Sequence, residues 1–115
     1  METQVTKPRK TSEVKTAKQV KTIDIRAKEW FDKVNGNSYF AGQIVVNFGY
    51  ANMRTIKMPF QYGYGSQYEQ QGLAQLQNLG LINSTRTQDL REQKIFFRSN
   101  IETNCKQRDV KAYGL

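Results

Sequence analysis

The sequence predicts an α+β domain: a small antiparallel β-meander with one helix laid on one face, in the order β-β-β-α-β. Three observations predict it. Apolar and polar residues alternate with period two in three successive stretches after Thr22. One stretch with helical spacing, residues 66–80, follows them. At 115 residues the chain holds a single small core, so helix and strands must share it.

The first strand comes from Ile23, Ile25 and Ala27 alternating with Asp24, Arg26 and Lys28 and running on toward Trp30 and Phe31. Asn35-Gly36-Asn37 then signals a hairpin, because Asn and Gly tolerate the positive φ of a type I′ turn. In the second strand, residues 38–48, Phe40, Ile44, Val46 and Phe48 fall on one face, with Tyr39, Gln43, Val45 and Asn47 on the other. Gly42 within it marks a bulge or a close backbone approach. The third strand sets Ile56, Met58 and Phe60 against Thr55 and Lys57, and Pro59, which lacks an amide hydrogen, puts that strand at a sheet edge or at its end.

Ser66 with Glu69 three residues later reads as a capping box that opens the helix. Tyr68, Leu73, Leu76 and Leu79 form its apolar stripe, and Gly80 followed by Leu81 has the pattern of a Schellman stop. Gly72, in mid-helix, points to close packing on the sheet. Residues 83–93 read as a polar connection. Residues 94–101 then supply the fourth strand, with Ile95, Phe97 and Ile101 on one face. The expected core is Ile23, Ile25, Phe40, Ile44, Val46, Ile56, Met58, Phe60, Leu73, Leu76, Leu79, Ile95 and Phe97.

Outside this domain, placed at residues 22–101, lie two flanks. Residues 1–21 carry six cations against two acids and no aromatic residue, which predicts a disordered basic arm. Residues 102–115 form a polar segment with no assigned element.

Composition narrows the chemistry. Lys and Arg total 18 against 10 Asp and Glu, a net charge of +8, and there is no histidine. Histidine-based metal sites and nucleophile pairs are thereby excluded. The lone Cys105 cannot form an internal disulfide, and the charged N-terminus is not followed by an apolar signal region, so a cytoplasmic, reduced protein is expected. No stretch is apolar enough to span a membrane. Residues 61–66, Gln-Tyr-Gly-Tyr-Gly-Ser, match neither a dinucleotide fingerprint nor a Walker loop, and no cofactor is expected. Glu92-Gln93-Lys94 imitates half of a metal-nuclease motif whose partner, Asp24 or Asp89, the sequence does not place.

One helix covers one face, which leaves the other to water or a partner. Arg26, Lys28 and Trp30 of the first strand, Tyr39 of the second and Lys57 of the third fall on that face, with Phe96 and Arg98 as further candidates. Cations interleaved with rings suit single-stranded nucleic acid, since bases stack on rings irrespective of sequence while Lys and Arg neutralise phosphates. The same alternation also describes an ordinary solvated face. Ten of the 13 aromatic residues lie between Trp30 and Tyr68, and Tyr62 and Tyr64 in the turn before the helix extend the candidate surface. In the arm, Lys7, Arg9 and Lys10 are the densest cations and the expected electrostatic attachment.

The runs 29–39, Glu-Trp-Phe-Asp-Lys-Val-Asn-Gly-Asn-Ser-Tyr, and 58–65, Met-Pro-Phe-Gln-Tyr-Gly-Tyr-Gly, resemble a group of small proteins of tailed bacteriophages and related mobile elements. The resemblance covers about residues 22–82. It implies a small accessory protein acting in the cytoplasm of an infected bacterium and carries no catalytic residue or cofactor. Three roles are compatible with this: a non-enzymatic nucleic-acid-binding protein, an inhibitor of a host defence complex that processes nucleic acid, and a minor virion or assembly component.

Overall fold

Alternating apolar residues need a neighbouring strand to satisfy the backbone between them, and the chain reversal at residues 33–36 supplies one. In the computed structural model, which describes residues 13–115, β1 (Thr22–Asp32) pairs antiparallel with β2 (Asn37–Val46), Ile25 opposite Ile44 and Trp30 opposite Tyr39. β3 (Arg54–Tyr62) pairs antiparallel with β2, completing the expected meander. β4 (Phe96–Glu102) adds to the free edge of β1, so the order is β3-β2-β1-β4. It runs parallel to β1, which corrects the expectation of an all-antiparallel sheet. A connection long enough to cross the sheet through a helix returns the chain in its original direction.

Three helices accompany the sheet where one was expected: α1 (Gln67–Asn78), α2 (Thr87–Glu92) and α3 (Gln107–Tyr113). α1 covers the face of Ile23, Ile25 and Ala27, and a Cβ on its Gly72 would stand 2.7 Å from Ile25 Cδ1, so the close packing read from that glycine is present. It stops as expected: Leu81 N donates to Leu76 O at 3.0 Å, Gly80 N to Gln77 O at 3.0 Å, and Gly80 has φ 78°. Its start differs, because the Ser66 side chain makes no capping bond and Glu69 instead accepts from Ser99 Oγ on β4. α2 occupies part of the stretch read as a polar connection, and its one buried residue, Leu90, ties it to the core.

The first hairpin differs from a type I′ turn in that only Gly36 has positive φ, at 73°. Asp32 builds the loop. Its carboxylate accepts from Asn35 Nδ2 (2.8 Å), Val34 N (3.0 Å) and Asn35 N (3.3 Å), and its carbonyl accepts from Gly36 N at 2.7 Å. The Asn35 side-chain bond foremost, with the two backbone bonds, holds the Asp32 carboxyl below the ordinary aspartate range.

Core membership follows the alternation except in β3. Phe60 leaves it, because a register shift between Phe40 and Gly42 puts an extra residue into β3 near Pro59 and turns Phe60 to the opposite face. Gly42 permits the irregularity: a Cβ there would clash with the Met58 methyl and stand 2.8 Å from Arg26 O. Leu79 is exposed, and Leu81, one residue past the stop, is buried in its place.

Residues 13–21, expected within a disordered arm, are part of the domain. Val14 and Val20 belong to the core, Val14 N donates to Asn52 O at 2.9 Å, and Arg54 Nη1 donates to Val14 O at 3.3 Å. A 3-10 turn at Ala17–Gln19 is closed by Gln19 Oε1, which accepts from Lys15 N and Thr16 N. Residues 1–12, the rest of that arm, lie outside the described residues.

Asn47 joins this segment to the sheet. It is fully buried at φ 59°, its Oδ1 accepts from Lys21 N (2.6 Å) and Thr22 N (3.2 Å), and its Nδ2 donates to Gln19 O (2.8 Å) and Asn52 Oδ1 (3.1 Å). Asn47→Ala removes four part-buried hydrogen bonds and puts at a left-handed position a residue that tolerates positive φ less well than Asn. At about 0.5–1.5 kcal/mol net for each part-buried bond, urea unfolding should show a loss of about 2–4 kcal/mol. Because the folded-state pKa of Asp32 is depressed, its contribution is present above the ordinary aspartate range and lost as pH falls through and below it. Asp32→Asn should therefore flatten the acid limb of a Tm–pH profile while leaving its neutral-pH shape unchanged.

Candidate nucleic-acid interface

The face of the sheet turned away from α1 carries Asp24, Arg26, Lys28 and Trp30 from β1, because these alternate with the core residues Ile23, Ile25 and Ala27. Opposite them on β2 stand Val45, Gln43, Ala41 and Tyr39, and Lys57 of β3 pairs with Gln43. The bulge brings Phe60 and Tyr62 of β3 beside Tyr39. Trp30, Tyr39 and Phe60 form a triangle, with ring centroids 5.6 Å (Trp30–Tyr39), 5.3 Å (Tyr39–Phe60) and 6.3 Å (Trp30–Phe60) apart and interplanar angles of 27°, 7° and 34°. Trp30 and Phe60 each stack on Tyr39 and meet one another at a tilt. Tyr62 meets Tyr39 edge-on at 5.8 Å, and Tyr64 meets Tyr62 edge-on at 6.5 Å. The first three rings are half-buried, whereas Tyr62 and Tyr64 are 58% and 60% exposed and are the accessible rings of the cluster.

This face is not open throughout, which corrects the expectation that only one face is covered. α3 crosses it at the level of Lys28 and Ala41. Val110 and Ala41 are fully buried there, outside the main core, and a Cβ on Gly114 would stand 2.6 Å from Met58 O and 2.8 Å from Ala41 Cβ. Gln43 Nε2 donates to Tyr113 O at 3.4 Å. Lys28 Nζ lies 5.1 Å from the centroid of the Tyr113 ring and 3.9 Å from Glu102 Oε1, so this cation is already engaged. Lys111 Nζ sits 5.4 Å from the Phe60 centroid and covers part of the triangle.

The helix therefore divides what the alternation read as one surface. On one side lie Arg26, Gln43 and Lys57. On the other lies the aromatic cluster. Arg26 and Lys57 are exposed and form no ion pair with another described residue. Arg98 shares the cationic side: its Nε is 2.8 Å from Oδ1 of the buried Asp24, and its guanidinium lies 5.4 Å from the Phe96 centroid. Lys7, Arg9 and Lys10 lie outside the described residues.

Three cations were missed by the sequence reading. Lys33 and Lys106 line a shallow cleft of about 480 Å³ with Trp30, Phe31, Asp32 and Cys105, at the end of β1 that β4 does not reach. Lys111 comes from α3. A signal for α3 was present in Val110, Tyr113 and Gly114, spaced as one helical stripe. Cys105 is half-buried, and burial, with Glu102 beside it, pushes its thiol pKa up, so it is held as the weakly nucleophilic thiol.

The nuclease half-motif is not assembled. Glu92 ends α2 rather than opening a strand, Asp89 Oδ2 accepts from Ser84 Oγ at 2.6 Å, and the Asp24 carboxylate is taken by Arg98. Among the described residues there is no group of three or more His, Cys, Asp or Glu side chains placed to hold a metal ion, and no helix is long and apolar enough to cross a membrane. No protein-family model matches this chain, and neither a curated protein nor a solved structure matches it.

Gly114→Val would drive a branched side chain into the Met58 carbonyl and Ala41. Hydrogen exchange should then show faster exchange throughout α3 while the β1–β3 amides stay protected, with a stability loss of about 1–3 kcal/mol.

Proposed function

We propose that this chain is a non-enzymatic accessory protein that binds nucleic acid, preferring single strands, in the cytoplasm of an infected bacterium as its resemblance to phage proteins implies. The observation that carries this reading is the aromatic cluster of Trp30, Tyr39, Phe60, Tyr62 and Tyr64 set beside Lys33, Lys106 and Lys111, which form no ion pair with another described residue. Tyr62 and Tyr64 offer ring surface for bases to stack on. The cleft beside Trp30 is of a size to admit a base, with Lys33 and Lys106 at its walls to meet the adjoining phosphates. Trp30, Tyr39 and Phe60 act mainly by supporting one another, so they are positioning residues more than contacts. Lys7, Arg9 and Lys10 add electrostatic attachment, as do Arg26 and Lys57 from the far side of α3.

The test is fluorescence anisotropy with labelled single- and double-stranded DNA and RNA at several salt concentrations. Tyr62→Ala with Tyr64→Ala should weaken single-strand binding by about 1–3 kcal/mol per stacked base lost, with circular dichroism unchanged. Lys7, Arg9 and Lys10→Gln together should lower affinity for all strands alike and reduce the salt slope by up to about 0.7 per contacting cation on single strands. Unchanged affinity in the tyrosine variant overturns the stacking role. Absence of binding even at low salt overturns the reading as a whole and leaves inhibition of a host protein complex as the leading one.

A further inference from the structure

At the end of the sheet opposite the aromatic cluster, the segment before β1 meets the turn between α2 and β4, where Phe96 N donates to Lys21 O at 3.0 Å. Between them lies an open cleft of about 430 Å³ lined by Lys18, Lys21, Lys94, Asn83 and Gln93 together with apolar residues. No carboxylate lines it, and none of the three lysines forms an ion pair with another described residue. Three lysines on one cleft raise the local concentration of anions.

Lys94 adds an independent observation. Its φ is 63°, in the left-handed region that disfavours every residue with a Cβ. α2 stops there by the same device as α1: Lys94 N donates to Arg91 O at 2.9 Å and Ile95 N to Leu90 O at 2.9 Å. In α1 the left-handed position is filled by Gly80, with φ 78°. In α2 a lysine stands in the place of glycine, at a backbone cost, and this residue lines the cleft.

We infer that Lys18, Lys21 and Lys94 form a phosphate-binding site, with the Asn83 and Gln93 amides as further donors. The ligand is a phosphate mono- or diester group, free or carried on a nucleic-acid strand. Three lysines on one cleft suit such a point of negative charge, and Asn83 and Gln93 bring amide donors able to bond its oxygens. The site stands on its own residues and does not depend on stacking at the aromatic cluster.

The test titrates the isotope-labelled full chain with inorganic pyrophosphate, against chloride at matched ionic strength, and reads backbone amide shifts by NMR. Saturable shifts at Lys18, Lys21 and Lys94 are expected with pyrophosphate. Short oligonucleotides with and without a terminal phosphate identify the source. Equal shifts from both assign the strand backbone, shifts from the phosphorylated one alone assign a terminal monoester, and shifts from pyrophosphate alone assign free phosphate. Lys94→Gly keeps the left-handed backbone without its strain, so the variant should fold with an equal or higher Tm. It should bind pyrophosphate about two- to fivefold more weakly, the range of exposed charge pairs. Lys21→Gln should act in the same direction. Chloride reproducing the pyrophosphate shifts, or unchanged affinity in both variants, overturns the proposal. The Tyr62 and Tyr64 variant should retain these shifts, so failure of either site is distinguishable from failure of the other.

Discussion

The extra residue in β3 opposite Ala41, beside Gly42, is the constraint on which the candidate surface rests. A strand alternates strictly, so without the bulge Phe60 and Tyr62 would both follow Met58 onto the face that packs against α1. With it, both stand beside Tyr39, and the three-ring triangle can form. Two residues meet the demands of that irregularity. Pro59 has no amide hydrogen to leave unpaired, and Gly42 has no Cβ to strike the Met58 side chain or the Arg26 carbonyl. The same close approach gives the end of α3 its seat, since Gly114 fits against the Met58 carbonyl and Pro59 only because it too lacks a Cβ.

The sequence makes the meander and α1 legible because both rest on local, periodic signals. Ile23, Ile25, Ile44, Ile56, Leu73 and Leu76 are buried on the side their spacing assigns. What it hides is set by tertiary contacts. Gly42 marks a bulge but not which residue of β3 the bulge displaces, so Phe60 is read into the core. β4 shows its own alternation, but only the crossover through α1 and α2 fixes its direction and its place beside β1. Leu79 and Leu81 are both apolar, and the Schellman geometry decides between them by turning the chain at Gly80.

The N-terminal segment hides for a different reason. Charge density argues against order, and two valines in a run of lysines look insufficient to offset the entropy of fixing the chain. Asn47 changes that balance. As a buried amide it must find partners, and the backbone groups of Gln19, Lys21 and Thr22 are those partners. Composition counts apolar surface, whereas this segment is held as much by hydrogen bonds to a single polar side chain, so the boundary of the domain falls earlier than charge alone places it.

α3 has the larger consequence for function. By crossing at Lys28 and Ala41 it converts one mixed face into an aromatic side and a cationic side, and it takes Lys28 out of the set of available charges. The two ends of β1 are about 30 Å apart at the usual rise per residue, well beyond a Debye length of about 10 Å at ordinary salt. Cations near Lys21 and rings near Trp30 therefore act as separate contacts rather than one field. A strand short enough to meet only the rings and the adjoining cleft would be held by stacking with few phosphate contacts, at Lys33, Lys106 and Lys111, and would depend less on salt. One long enough to reach past α3 would add phosphate contacts at Arg26 and Lys57, and with them a steeper salt dependence. Length and salt dependence are thus coupled in this geometry, as they would not be on an undivided basic face.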